Sequence, residues 1–229
     1  MAPSGRDERS NSFEAIPLQK ALLDGENPLL SQTPEAWAEL ALRDPLALLN
    51  DHAYLEKKAA TNALELLNRW PEPSCPEEWT PTLAAIASDE ASHLSAVVRI
   101  LIDRGGRLER THRNDYANRL RLHVRKGRGT DELVDRLLIS ALIELRSCER
   151  FDLLATHCRG RDAALCRFYD RLGSSELGHY HVFLRLASLA ARSTEVEARW
   201  REMLSFEAAA MAAQTPGPRI HSGWLVQLR

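Results

Sequence analysis

Residues 88–93 read Ser-Asp-Glu-Ala-Ser-His (SDEASH) and residues 174–179 read Ser-Ser-Glu-Leu-Gly-His (SSELGH), each set inside a long helix-forming stretch. A separation of three places Glu90 and His93, and likewise Glu176 and His179, on one side of a helix about one turn apart. With 20 Glu and 8 His in 229 residues, chance alone supplies roughly 0.7 Glu-x-x-His matches, so only the surroundings carry information. Positions at ±3, ±4 and ±7 share a residue's side of the helix. Around Glu90 they include Leu83, Ile86, Ala87, Leu94 and Val97, and around Glu176 they include Tyr169, Leu172, Gly173, Tyr180 and Phe183. Both glutamates therefore sit in the middle of a stripe that reads as core. A third match, Glu109 to His112, follows a Gly-Gly break and lies on no such stripe, which marks it as coincidental.

Working outward, helix signals recur along the chain. Thr33-Pro34 opens a short helix ending near Arg43, and Asp44-Pro45 is an N-cap followed by proline in the first turn. Residues 45–70 then read as a long helix stopped by PEPSCP, and a second runs from Pro76 or Pro81 to Arg104, where Gly105-Gly106 ends it. Thr130 caps a third from Asp131 to about Cys158. Gly160 breaks it, a fourth spans 162–191, and Thr194 starts a fifth that closes near Gln214. No period-2 pattern of useful length appears. The expected class is all-α, a four-helix bundle with additional N- and C-terminal helices in one domain, with residues 1–12 disordered.

Applied to the other two long helices, the same face test finds Glu56 among Leu49, His52, Ala53, Ala59 and Ala63, and Glu144 among Leu137, Ser140, Ala141, Cys148 and Phe151. Each of the four helices thus aims one carboxylate inward. An unpaired buried carboxylate costs several kcal/mol, and these stripes carry no matching set of Lys or Arg. Two divalent cations would cancel four carboxylates, with His93 and His179 as neutral ligands.

Register supports the grouping. Glu56 and Glu90 are 34 apart with midpoint 73, inside PEPSCP, and Glu144 and Glu176 are 32 apart with midpoint 160. Residues equidistant from the turn of an antiparallel hairpin meet at one level. The midpoint test favours Glu144 over its rival Glu149. One Glu from each of two helices plus Glu-x-x-His from each of the other two is the dinuclear carboxylate pattern of ferritin-like bundles, and oxygen-rich ligation with two imidazoles suits iron or manganese. Asp89 reads either as an acceptor for His179 on the facing helix or as an ordinary exposed helix carboxylate, and His52, one turn before Glu56, reads either as a support for that carboxylate or as a core histidine. Tyr180 and Phe183 read as packing. Gly173 and Gly178 either leave room for a small molecule or let helices approach.

Several long stretches, DHAYLEKKAATNALELL, DEASHL, LLISALIELRSCERFDLLA, FYDRLGSSELGHYHVFLRLA and the tail PRIHSGW, resemble the tRNA 2-methylthio-N6-isopentenyladenosine hydroxylases, the MiaE family, across roughly residues 20–229. The resemblance implies a non-haem di-iron monooxygenase that hydroxylates the isopentenyl group of the modified adenosine beside the anticodon. Dioxygen would be the co-substrate, and the electrons would come from outside. The metal ligands it implies are Glu56, Glu90, His93, Glu144, Glu176 and His179.

Charge bears on the partner. Net charge is −2, yet residues 104–128 carry nine basic residues (Arg104, Arg107, Arg110, Arg113, Arg119, Arg121, Arg125, Lys126 and Arg128) against Glu109 and Asp115. This basic connector, 104–129, is the candidate tRNA contact, with Tyr116, His112 and His123 available for stacking; its other reading is a solvated linker. No nucleotide or flavin fingerprint appears, so a separate electron-donor protein is expected. Cys75, Cys148, Cys158 and Cys166 form no Cys-x-x-Cys pair and read as reduced core thiols. No apolar run is long enough to span a membrane, and a cytoplasmic protein is expected. Two alternatives stay open, a di-iron oxidase or peroxide-handling protein acting on a small molecule and a metal-free RNA-binding bundle.

Overall fold

A computed structural model describes residues 27–224, so the expectation for residues 1–12 falls outside the described residues. Seven helices are present among them: α1 (Glu35–Ala41), α2 (Pro45–Leu66), α3 (Trp79–Asp103), α4 (Asp115–Arg121), α5 (Thr130–Cys158), α6 (Ala163–Ala190) and α7 (Ser193–Ala212). No strand accompanies them; Pro216 and Gly223 make one isolated bridge. The helix starts follow local chemistry where a short polar side chain is available. Asp44 accepts a hydrogen bond from the Ala47 N–H at 3.0 Å and Asp162 accepts one from the Leu165 N–H at 3.0 Å. Gly160, with φ +75°, turns the chain between α5 and α6. Two expected caps are corrected: Thr130 lies inside α5 behind Gly129, and α7 begins at Ser193 after Arg192, neither helix having a side-chain cap.

The four long helices form two antiparallel hairpins, α2 with α3 and α5 with α6, packed into one bundle. Helix α1 lies against α5, and α7 packs on α4, α5 and α6. Helix α4 was not expected. Inside the basic connector, Asn114 caps it by accepting from the Ala117 N–H, and it buries Tyr116, Ala117 and Leu120.

Two apolar clusters divide the core. One contains Ala63, Leu66, Ile86, Ala87, Leu142, Leu145, Phe183 and Trp200; the other contains Leu49, Ala53, Val97, Phe151, Phe168 and Leu172. On α2, α3 and α6 the residues singled out by sequence fall between the stretch belonging to one cluster and the stretch belonging to the other. Glu144 borders the first. Apolar packing thus holds both ends of the bundle and leaves a polar layer between them. Gly173 serves close approach of α5 and α6, since a Cβ there would meet Asp152 Oδ1 at 2.8 Å, whereas Gly178 faces open space. Tyr180 and Phe183 are buried in the core as expected.

The four cysteines are free, though the expectation of core thiols holds fully only for Cys158. Cys148 and Cys166 are half-buried and Cys75 is exposed.

Candidate metal centre

All six residues singled out by the helix-face test arrive in the polar layer. Glu56, Glu90, Glu144, Glu176 and His179 are buried, and His93 is partly so. They form two groups whose ligand atoms lie within 4.8 Å of one another: Glu56, Glu90, His93 and Glu176, and Glu90, Glu144, Glu176 and His179. Glu90 and Glu176 belong to both. His93 Nδ1 lies 3.6 Å from Glu56 Oε2, 3.7 Å from Glu90 Oε2 and 3.3 Å from Glu176 Oε1. His179 Nδ1 lies 2.7 Å from Glu90 Oε1 and 3.5 Å from Glu176 Oε2.

Whether these residues suit a metal pair is tested by their unsatisfied atoms. Both oxygens of Glu90, both of Glu176 and the Nδ1 atoms of His93 and His179 are buried without a hydrogen-bond partner among the described residues. Buried polar atoms rarely stay unpaired. Here carboxylate and imidazole lone pairs face a common interior instead, and no Lys or Arg forms an ion pair with any of the four carboxylates among the described residues. The donor set fits two oxygen-preferring divalent cations.

Electrostatics of the protein alone point the same way. Burial, reinforced by Glu176, pushes the Glu90 carboxyl up to about 7. Burial followed by the repulsion of Glu176 and Glu90 raises Glu144 well above the carboxylate range, and burial raises Glu56. At the imidazoles burial opposes the charge, yet the surrounding glutamates outweigh it and push His93 up to about 12 and His179 up to about 10. Burial opposes the charge of Glu176, yet the two imidazoles beside it move its carboxyl down. Without cations, protons must fill the charge deficit.

Supporting residues also fall near the centre. His52 is fully buried, and burial lowers it to about 4, so it is a neutral ring whose Nε2–H donates to Glu56 Oε1 at 2.5 Å. It does this while packing against Phe151, Phe168 and Tyr169. Asp89 Oδ2 stands 3.6 Å from His179 Nε2, beyond a direct hydrogen bond, with the Asp89 side chain 61% exposed. Glu149 turns away: it accepts from the Thr33 N–H at 2.9 Å and pairs with Arg146, leaving Glu144 as the α5 member of the cluster. The coincidental pair, Glu109 and His112, belongs to neither group.

The connector is corrected in part. Tyr116 is fully buried and donates to Glu207 at 2.9 Å, so it offers no stacking surface. His112 is held between Asp51 and Lys58 under Tyr54, and His123 stacks on Phe206. Arg104 pairs with Asp162 at 2.7 Å, Arg125 is bound to Asp135 at 2.9 Å, and Arg113 pairs with its neighbour Asp115. Arg107, Arg110, Arg119, Arg121, Lys126 and Arg128 are exposed and make no ion pair among the described residues. Sequence reading missed Lys58, Asn62 and Asp51. The available signal was the 55, 58, 59, 62 periodicity of α2, which puts Lys58 on the same side as Leu55, Ala59 and Asn62.

Fold and cluster together define a ferritin-like helical protein with a carboxylate and histidine cluster compatible with a di-iron site. The family model of MiaE, tRNA-(MS2IO6A)-hydroxylase, matches residues 20–222, and the chain belongs to that family. A tRNA 2-(methylsulfanyl)-N(6)-isopentenyladenosine(37) hydroxylase of Pseudomonas putida is 39% identical over 68% of this chain and 72% of its own. The enzyme of the same description from Salmonella typhimurium is 28% identical over 86% of this chain and 88% of its own. Among solved structures, a Synechococcus protein with aldehyde deformylating oxygenase activity superposes with a TM-score of 0.78 at 29% identity, covering 88% of this chain and 98% of that one. No helix among the described residues is long and apolar enough to cross a membrane.

Proposed function

We propose that this chain hydroxylates the isopentenyl side chain of 2-methylthio-N6-isopentenyladenosine next to the tRNA anticodon. The reaction would occur at two iron ions held by Glu56, Glu90, His93, Glu144, Glu176 and His179. The observation that carries the reading is the convergence of four buried carboxylates and two imidazoles, with unpaired ligand atoms and no basic side chain to neutralise them. The reaction inserts one oxygen atom of dioxygen into a C–H bond and reduces the other to water with two electrons and two protons. A separate donor protein would supply the electrons. When bound, an iron pair supplies the activation of dioxygen that side chains alone do not provide.

The remaining work belongs to the chain. Glu56, Glu90, His93 and Glu176 would hold one ion and Glu90, Glu144, Glu176 and His179 the other. His52 holds Glu56 by donating Nε2–H, and Asp89 stands at the far nitrogen of His179 as an acceptor reachable through a water. Apolar clusters on both sides keep bulk water from the layer. A tRNA substrate sets the activity in the cytoplasm, and the exposed arginines of the connector supply the charge to meet its phosphates.

A direct test incubates iron-loaded protein, a reductant and dioxygen with tRNA bearing the isopentenyl nucleoside, followed by mass spectrometry of the nucleosides. A gain of one oxygen atom on the isopentenyl nucleoside, lost in Glu176→Ala, is the expected result. Iron-dependent oxygen consumption with unaltered tRNA would instead favour oxidation of a small aliphatic molecule.

A further inference from the structure

Between α2 and α5, roofed by α4 and the residues after it, lies a narrow cavity of about 60 Å³ with Glu144 among its walls. The other walls are mainly aliphatic: Leu55 and Ala59 from α2, Ile139 and Ile143 from α5, and Val124 beyond α4. Outside it opens a wider cleft of about 530 Å³ lined by Tyr54, Lys57, Arg110 and His112. Lys58, Asn62 and Arg121 line both spaces and so mark the threshold between them. A small, mainly aliphatic space thus lies between a wider basic vestibule and one carboxylate of the metal centre.

The threshold is built. Lys58 Nζ donates to His112 Nδ1 at 2.8 Å, and His112 Nε2–H donates to Asp51 Oδ1 at 2.7 Å. Asp51 is in turn fixed by the Ile220 N–H at 2.8 Å, and Tyr54 stacks on the His112 ring with centroids 4.9 Å apart. The ammonium of Lys58 is therefore held at the mouth instead of sweeping through solvent. One turn further along α2, Asn62 donates to Ser140 Oγ at 2.9 Å, tying α2 to α5 beside the slot.

Building on the tRNA hydroxylase reading, we propose that the slot of Leu55, Ala59, Val124, Ile139 and Ile143 receives the isopentenyl chain of the nucleoside. Lys58 and Arg121 hold the neighbouring phosphates at its mouth. The adenine and ribose remain in the outer cleft, and only the five-carbon chain reaches the metal layer, on the Glu144 side. Lys58 is a positioning residue, and His112 and Asp51 act through it.

The test measures the affinity of the full chain for two anticodon stem-loops that differ only in the isopentenyl group. Wild type binds the prenylated stem-loop at least about tenfold more tightly, as burial of a few methylene-sized groups requires. In Ala59→Leu, which fills the slot, the ratio of the two affinities falls to about one. Ile143→Phe closes the slot from the facing helix and gives the same result should Ala59→Leu fail to fold. Lys58→Ala and Arg121→Ala weaken both stem-loops, keep the ratio, and each flatten the salt dependence by about one unit of log K against log salt. A wild-type protein that hydroxylates the prenylated stem-loop, together with a slot-filled variant that keeps the wild-type ratio, overturns the slot assignment and leaves the hydroxylase reading intact. No hydroxylation by iron-loaded wild type overturns the hydroxylase reading itself.

Discussion

Helix α5 passes two buried charged clusters within two turns, and they are neutralised in opposite ways. Arg146 and Arg150, both fully buried, meet Glu207 and Glu149. Arg146 donates to Glu207 at 2.8 and 3.0 Å and to Ser31 O at 2.9 Å, while Tyr116 donates to Glu207 and Arg150 lies 4.0 Å from the centroid of the Trp37 ring. Two positive and two negative side chains balance their charge within the protein, although Nε and Nη1 of Arg150 stay unpaired among the described residues. Two residues earlier, Glu144 enters a cluster of four carboxylates and two imidazoles in which both oxygens of Glu90 and of Glu176 and the Nδ1 atoms of His93 and His179 are left without partners among the described residues. A cluster whose charges cancel within the protein is structural, whereas one that needs positive charge from outside is a site. The contrast separates Glu144 from Glu149, five residues apart on one helix.

Substitutions can break this comparison. Glu176→Ala, removing a member of both ligand groups, abolishes hydroxylation and drops iron below about one ion per chain, while the fold persists by circular dichroism. Glu207→Ala does the reverse. It leaves buried Arg146 and Arg150 with Glu149 as their one carboxylate and costs about 3–5 kcal/mol in denaturant unfolding, yet the folded fraction retains its iron. Adding Arg146→Met to an apolar replacement, Glu207→Leu, recovers most of that loss, because a self-contained ion pair is replaceable by apolar packing.

The comparison sharpens when metal is removed. In chelator-treated protein, Glu144→Gln raises stability by about 1–3 kcal/mol, since the buried Glu144 carboxyl must take up a proton to fold at neutral pH and the amide need not. With iron bound the same change lowers the melting temperature. Equal signs in both states would mean that Glu144 belongs with the structural network.

A smaller, pH-dependent effect tests the anchoring of the connector. Asp135 is buried, which opposes its charge, but Arg125 and Arg199 hold it below its ordinary 3.8. Its contribution is therefore present above pH 3.8 and lost as pH falls through the lower folded value. Asp135→Asn costs about 1–2 kcal/mol at neutral pH, and the gap to wild type closes on acidification in urea titrations.

Most of the bundle was legible because long helices carry their own start and stop chemistry, as Asp44, Asp162 and Gly160 do, and because core-facing stripes repeat every three or four residues. The six candidate ligands were legible for the same reason, with hairpin register placing them at one depth. The connector was not. Its helix α4 is only seven residues long, and its apolar Tyr116 and Leu120 are masked by surrounding arginines. Tyr116 finds Glu207 91 residues away, while Arg104 and Arg125 find Asp162 and Asp135 in other elements. Those partners turn apparent ligands for phosphate into anchors, and local sequence gives no sign of them. The tether of Lys58 was hidden similarly, since His112, itself held by Asp51, reaches it only in the folded chain.

The most direct measurement is an anomalous-difference map, collected at the iron edge, from crystals of the iron-loaded protein. Two adjacent peaks are expected, one beside Glu56 and His93 and the other beside Glu144 and His179, with Glu90 and Glu176 reaching both. A map without density among these side chains, or with iron bound elsewhere on the chain, would contradict the account.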